Sequence, residues 1–522
     1  MYPGTHAAVV PDRPAVIMAG SGEVLTYREL NERSMRLAQL LADNGLTEGD
    51  RVAIFAENHI RYFEVYWAAI RSGLYVTGVN WHLTAAEAGY IVANSEAKAL
   101  FTTAAMADVA RQMLPGLPGC RVRLIADGPA DGFEPYEEAI AAYPVREVTG
   151  RRRGDVLLYS SGTTGRPKGV RQPLADKTVE MGGGVSPLAR AFMQMDDATV
   201  YLSPAPLYHA APLGWAAAAH ELGGTVVVME KFNPEHYLEL VERYRVTHSQ
   251  LVPTMFVRML KLPDELRGKY DLSSLRQVVH AGAPCPAEVK RAMIDWWGPI
   301  INEYYSSTEG NSFTFITTQE WLDHPGSVGK PRLGTPHVCD ESGHELPPGE
   351  VGLIYSHRPD SRFEYLGDEE STAQTRHPLH PEWTTIGDMG YVDADGYLYL
   401  TDRKNFMIIS GGVNIYPAEI EGCLVLHPAV ADVAVFGLPD QEMGEFVQAV
   451  VQPAEGVTGT PALAAELALF ARQHVAGYKV PKRIDFRESL PRMPTGKLAK
   501  GPLRDEYLQR AAVAQVAGPV RG

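Results

Sequence analysis

Apolar positions recur along this chain in two rhythms. In "LTYRELNERSMRLAQLLADNGL" they follow a helical period, with Leu30, Leu37 and Leu41 on one face. Thr26 and Glu29 have the spacing of a capping box, and Gly45 supplies a stop. Beyond it come short apolar runs of strand length: "RVAIFA", "KALFTT", "RVRLIA", "DVLLYS", "TVYLSP", "GTVVVM" and "LRQVVHAG". Most are separated by segments long enough for a helix. That alternation predicts an α/β fold of layered, largely parallel sheets, whose ligands collect at the carboxyl ends of the strands. After about residue 385 the texture changes. "GYVDADGYLYLTDRKNFMIISGG" sets Asp-Gly turn signals between short strands and predicts hairpins. A helix near "PAEIEGCLV", strands at "VADVAVFGL" and "EFVQAVVQP", and a helix at 461–475 complete a smaller α+β unit. The expected domains are 1–402 and 403–522, joined through Asp402, Arg403, Lys404 and Asn405.

Size and charge narrow the picture. At 522 residues the chain is too long for one ordinary core. Its formal net charge of −15 argues against nucleic acid or an anionic membrane surface as partner. An anionic ligand must therefore be gripped by local groups against an unfavourable overall field. Four cysteines (Cys120, Cys285, Cys339 and Cys423) show no CxxC pair and no zinc spacing, which predicts reduced thiols and a cytoplasmic location. Neither a leader peptide nor an integral membrane segment is expected, because no apolar stretch approaches about 18 residues.

One loop stands ready to hold an anion. "YSSGTTGRPKGV" (159–170) follows directly on an apolar strand. Its glycines let backbone N–H groups converge, its hydroxyls add donors, and Arg166 and Lys168 add charge. A phosphate is the obvious guest. The loop is not a Walker motif. That pattern needs Gly-Lys-Ser/Thr after its spacer, whereas here Gly165 leads into Arg166 and Pro167, and Gly169 follows Lys168.

The loop resembles the phosphate-binding signature of the adenylate-forming superfamily, which contains acyl-CoA synthetases, nonribosomal adenylation domains and firefly-type luciferases. Further segments match that family in order over nearly the whole chain. "APLYHAAPLGW" (205–215) is similar to its substrate gate, and "HAGAPCP" (280–286) and "NEYYSSTEG" (302–310) to its adenine-binding and Tyr-x-x-Thr-Glu segments. "TTIGDMGYVDADGYLYLTDRKNFMIISGGVNIYPAEIE" resembles the ribose-binding and hinge region, and "RMPTGKLAK" (492–500) the catalytic-lysine motif.

The resemblance implies a large adenylation domain and a small mobile domain, with ATP and Mg2+ as cofactors and coenzyme A as co-substrate. It nominates Ser161, Gly162, Thr163, Thr164, Gly165 and Lys168 for the β- and γ-phosphates. Gly282, Ala283 and Tyr305 would serve adenine, Thr308 the α-phosphate, Glu309 the metal, Asp388 the ribose, and Arg403 the ribose or phosphate side. Lys497 would bridge the attacking carboxylate and the α-phosphate. His209, Trp215, Gly282 and Ser306 would line the acyl pocket, with His209 as a gate. Ser306 stands where relatives more usually have glycine. Gly411 and Gly412 would line the thiol tunnel, and Asn405, where relatives often carry Asp or Lys, would be the hinge.

The implied activity is that of an ATP-dependent acyl-CoA synthetase. The small residues Ala216–Ala219 after Trp215 suggest room for a medium-to-long or bulky hydrophobic acid. No Asp/Gly-Ser-Leu carrier segment follows Lys497, which favours free CoA as acceptor. A stand-alone enzyme loading a separate carrier protein, and a catalytically silent nucleotide-binding regulator, are the alternatives. A homodimer is expected by analogy.

Overall fold

The computed structural model describes residues 2–160, 167–403, 406–411, 413–440, 442–492 and 498–516. Its first long helix, Tyr27–Asp43, begins where the capping box places it. Thr26 Oγ1 accepts from the Glu29 N–H, and the Glu29 carboxylate accepts from the Thr26 N–H at 2.8 Å. Gly45, at φ +72°, takes the left-handed turn that ends the element. Leu30, Leu37 and Leu41 are buried as the helical period requires.

Two parallel sheets form the body of the molecule. In one, strands run in the order Glu134–Pro135, Val122–Ala126, Ala99–Thr103, Arg51–Phe55, Tyr75–Gly78, Asp155–Val156. The other has nine strands and a parallel centre made of Pro14–Met18, Thr225–Val228, Val200–Ser203, His248–Leu251, Gln277–His280 and Ile301–Ser306. Antiparallel strands close its edges. The pleat splits the side chains between two cores: Val226 and Val228 join the cluster holding Trp67 and Trp215, while Val227 joins the one holding Tyr237, Phe256 and Trp321.

The run "DVLLYS", expected as one strand, is divided. Asp155–Val156 pairs in the six-stranded sheet, whereas Leu158–Ser160 pairs antiparallel with Lys168–Arg171 in a separate three-stranded sheet. Alternation alone cannot reveal the break, because both pieces are apolar and strand-like. The third member of that small sheet is Glu364–Tyr365.

Toward the carboxyl terminus a five-stranded sheet contains the predicted hairpin, Asp388–Val392 against Leu398–Arg403. A further sheet gathers Val413–Ile415, Ile408–Ser410, Gly444–Pro453, Val430–Asp440 and Arg483–Phe486 around its own apolar core. Helices Pro417–Leu424 and Pro461–His474 pack on it, as expected. The segment following Leu424 rests on the larger part of the chain: Lys261 Nζ donates to the Val430 carbonyl at 2.6 Å, and Val425 and Leu426 pack against the second core.

Adjacent parallel strands set the site. Val278, Val279 and His280 lie opposite Ile301, Asn302 and Glu303. The loop after His280 and the segment after Tyr304 therefore leave the same edge of the sheet side by side, at its carboxyl end.

Candidate active site

The two adjacent segments carry different chemistry. Gly282 has φ +86°, a left-handed conformation that a side chain would strain, although a Cβ there would meet nothing closer than Val252 at 3.7 Å. Gly282, Ala283 and Pro284 are exposed, forming an open shelf above the strand ends. Alongside, Tyr305 Oη donates to Asp388 Oδ2 at 2.8 Å, joining positions 83 residues apart. Arg403 lies directly across the hairpin register from Asp388. Tyr305 and Asp388, expected at adenine and ribose, are thus brought together.

Beyond Tyr305 the chain turns. Ser306 is exposed, and its Oγ donates to the Ser312 carbonyl at 2.7 Å, closing the base of the turn. Half-buried Thr308 precedes Glu309, which is only 6% exposed. Two side chains outside the sequence expectation pin this turn. Gln172 Nε2 donates to the Glu309 carbonyl at 2.7 Å, and the Arg358 guanidinium donates to the Gly310 carbonyl.

Glu309 Oε1 accepts from Tyr365 Oη at 3.0 Å. Among the described residues no other side chain donates to this carboxylate. A buried carboxylate with an oxygen to spare is a hard donor of the kind Mg2+ selects. Lys168 stands on the other side of the same tyrosine. Its Nζ is 5.1 Å from the Tyr365 ring centroid, 2.5 Å from Ser371 Oγ and 3.6 Å from Asp368 Oδ2. Lys168 and Glu309, expected from the sequence to serve the phosphates and the metal, therefore share one aromatic neighbour.

Of the residues expected to line the acyl pocket, His209 precedes helix Ala210–Leu222, and its ring lies 4.3 Å from that of Tyr208. Trp215 is buried and donates from Nε1 to Tyr304 Oη at 3.2 Å. Burial pushes the Tyr304 phenol up to about 12, so it stays a neutral acceptor and donor. Tyr304 stacks on Phe313, which approaches Phe192. The alanines after Trp215 do not open the room expected of them. Ala216–Ala219 are at most 4% exposed and lie in the main core. Their small size lets the helix approach its neighbours closely, so it creates contact rather than space.

A buried ionic group supports the shelf from below. Lys290 Nζ meets Glu303 Oε2 at 2.7 Å and sits 4.8 Å over the Trp321 ring, with Lys290 fully buried. Burial pushes the Glu303 carboxyl up, and the Lys290 ammonium opposes that rise. His280 lies beside them, with Nε2 3.4 Å from Glu303 Oε2. Burial and Lys290 hold this imidazole well below its ordinary range, hence neutral. Burial also raises the Cys285 thiol, leaving it inert.

Gly411, at φ +58°, ends the strand Ile408–Ser410, and its N–H donates to the Met443 carbonyl at 2.7 Å. A side chain at Gly411 would collide with the Met443 methyl. Ser161, Gly162, Thr163, Thr164, Gly165, Asn405, Gly412 and Lys497 lie outside the described residues, as do the side-chain surroundings of Arg403. Gln172, Arg358, Tyr365, Asp368 and Ser371 escaped the sequence reading. None stands in a recognisable motif, and each reaches the site through sheet pairing or a loop.

The AMP-binding enzyme family matches residues 4–365, and its AMP-binding enzyme C-terminal domain matches residues 419–497. The chain belongs to this family, an adenylate-forming enzyme of the acid–thiol ligase class. It is 35% identical over 510 residues to a feruloyl-CoA synthase of an Amycolatopsis species, covering 97% of this chain and 98% of that one. To the fatty acid–[acyl-carrier-protein] ligase ScoC of Streptomyces coeruleorubidus it is 33% identical, covering 96% of this chain and 95% of the relative. Among solved structures, ATP-bound MatB from Rhodopseudomonas palustris superposes with a TM-score of 0.80 at 28% identity, covering 98% of this chain and all of the other. No described helix is long and apolar enough to cross a membrane.

Proposed function

We propose that this enzyme is an ATP-dependent acyl-CoA synthetase acting on a hydrophobic carboxylic acid. The observation that carries the proposal is the convergence of Tyr305, Asp388, Glu309 and Lys168 at the carboxyl edge of the parallel sheet. In the first half-reaction a carboxylate oxygen attacks the α-phosphorus of ATP, and pyrophosphate leaves. Asp388 accepts hydrogen bonds from the ribose hydroxyls, and the Tyr305 ring covers adenine. The loop 161–165 and Lys168 hold the departing phosphates. Glu309 would hold Mg2+, which when bound offsets negative charge on the phosphate oxygens. Lys497 brings a cation between the two reacting anions, which otherwise repel one another. In the second half-reaction the CoA thiol attacks the acyl carbonyl, AMP departs, and the thiol proton passes to solvent.

The aromatic residues Trp215, Tyr304, Phe313 and Phe192 favour an apolar acid, in keeping with similarity to a feruloyl-CoA synthase. We further propose a boundary at residue 403, with Asn405 as hinge. The unit 403–522 would turn between half-reactions, exchanging Lys497 for the Gly411–Gly412 turn beside the thiol path. Similarity to a carrier-protein ligase supports a second reading, in which the acceptor is a carrier-bound thiol. The test is pyrophosphate release across aliphatic, aromatic and steroid-side-chain acids, with mass analysis of products formed from CoA or a carrier. Acyl-CoA from at least one acid is expected. Pyrophosphate with no thioester on CoA would favour the carrier, and no pyrophosphate from any acid would sink both readings.

A further inference from the structure

Tyr365 occupies a position that neither the motifs nor the relatives' names assign. It lies on the short strand Glu364–Tyr365, paired antiparallel to Lys168–Arg171 with Tyr365 opposite Val170 and Glu364 opposite Arg171. Arg171 and Glu364 are joined by an ion pair, and the Leu366 N–H donates to the Gly169 carbonyl at 2.8 Å, so the strand is locked in register. Because Lys168 and Val170 point to the same face, Tyr365 is the diagonal neighbour of Lys168. Its ring lies beneath the ammonium at 5.1 Å. Its hydroxyl reaches the other way and donates to Glu309 Oε1 at 3.0 Å. The Tyr365 N–H donates to Thr372 Oγ1 at 2.9 Å, and Asp368 and Ser371, both of which hold Lys168, flank the start of the same short helix.

Tyr365 thus touches a cation and an anion that have opposite duties in the reaction. We propose that Tyr365 is a positioning residue: it fixes the Glu309 carboxylate for the metal and the Lys168 ammonium for the phosphates at one set separation. The inference rests on the adenylation reading above. Its physical basis is twofold. A hydroxyl donated to one carboxylate oxygen leaves the other oxygen directed for a hard cation, and such outer partners tune metal affinity. A ring beneath an ammonium holds it electrostatically without neutralising it. Main-chain bonds from Gln172 and Arg358 fix the turn around Glu309, but they leave its carboxylate free to rotate. The hydroxyl of Tyr365 removes that freedom.

The two functions separate by substitution. Tyr365→Phe keeps the ring under Lys168 and removes the bond to Glu309, whereas Tyr365→Leu removes both. Mn2+ binding to the full-length enzyme in the presence of ATP, read by electron paramagnetic resonance, reports the metal site without turnover. Tyr365→Phe is expected to weaken Mn2+ binding about 10-fold with the urea midpoint unchanged. Tyr365→Leu is expected to add a rise of about threefold or more in KM for ATP. Unaltered Mn2+ affinity in Tyr365→Phe, with wild type binding normally, would overturn the proposal. So would equal effects of the two variants on both constants. Failure of the wild-type enzyme to bind Mn2+ with ATP would instead count against the adenylation reading itself.

Discussion

Replacing Lys290 with methionine removes the cation from a carboxylate that the fold has already buried. The pair lies at 2.7 Å, with Lys290 fully buried and Glu303 7% exposed. With an effective dielectric of about 20, unit charges at that separation attract by about 6 kcal/mol. Desolvation of each ion costs several kcal/mol, so the intact pair comes close to breaking even. Its net contribution is small, but each half depends on the other. Lys290→Met leaves Glu303 uncompensated beside Cys285 and neutral His280 and should cost about 3–5 kcal/mol. Glu303→Leu, which leaves the Lys290 ammonium unpaired, should cost a similar amount, and the double replacement Lys290→Met/Glu303→Leu should recover most of it. Urea unfolding followed by tryptophan fluorescence is a suitable assay, because Trp321 is buried against the ammonium. With a slope near 3 kcal/mol per molar urea, each single variant should lower the midpoint by about 1 M or more. Single losses that simply add in the double variant, or either single costing less than about 1 kcal/mol, would show that the two ions do not depend on each other.

Other predictions follow from the same geometry. Lys497→Ala should abolish acyl-AMP formation yet leave CoA transfer from supplied acyl-AMP largely intact; equal loss of both half-reactions would contradict rotation of the small unit. Asp388→Ala should raise KM for ATP by more than it lowers kcat, since it removes both the Tyr305 bond and the acceptor proposed for the ribose; steady-state kinetics decides this. Burial lowers His220 to about 3 and His248 to about 4, so both are neutral in the folded enzyme and protonate earlier when unfolded. Between those values and the unfolded pKa near 6.5, stability should therefore fall as pH falls, by up to about 1.4 kcal/mol per pH unit for each histidine. Urea midpoints at pH 5 and pH 7 check the sign, and ring resonances that titrate near 6.5 in the folded enzyme would contradict it.

Much of the architecture was legible because it rests on local signals. The capping box of Thr26 and Glu29, the apolar runs of the parallel sheets and the Asp-Gly hairpin at 388–403 all form from neighbours in sequence. Tyr305, Asp388, Glu309 and Lys168 were legible for another reason: each lies in a motif whose residue order is tied to its chemistry. What escaped depends on distant pairing. Tyr365 meets Glu309 across 56 residues and Lys168 meets Ser371 across 203, contacts that no periodicity encodes. The alanine run after Trp215 misled because small side chains are consistent with either a cavity or a close approach. Only the facing elements decide between them, and here they fill the space.

Attack of the acid's own carboxylate on the α-phosphate leaves a signature in the nucleotide product. Turnover with an acid carrying 18O in both carboxylate oxygens, read by mass analysis, should put one 18O atom in each AMP released and none in pyrophosphate. Label in inorganic phosphate, or thioester formed with unlabelled AMP, would contradict it.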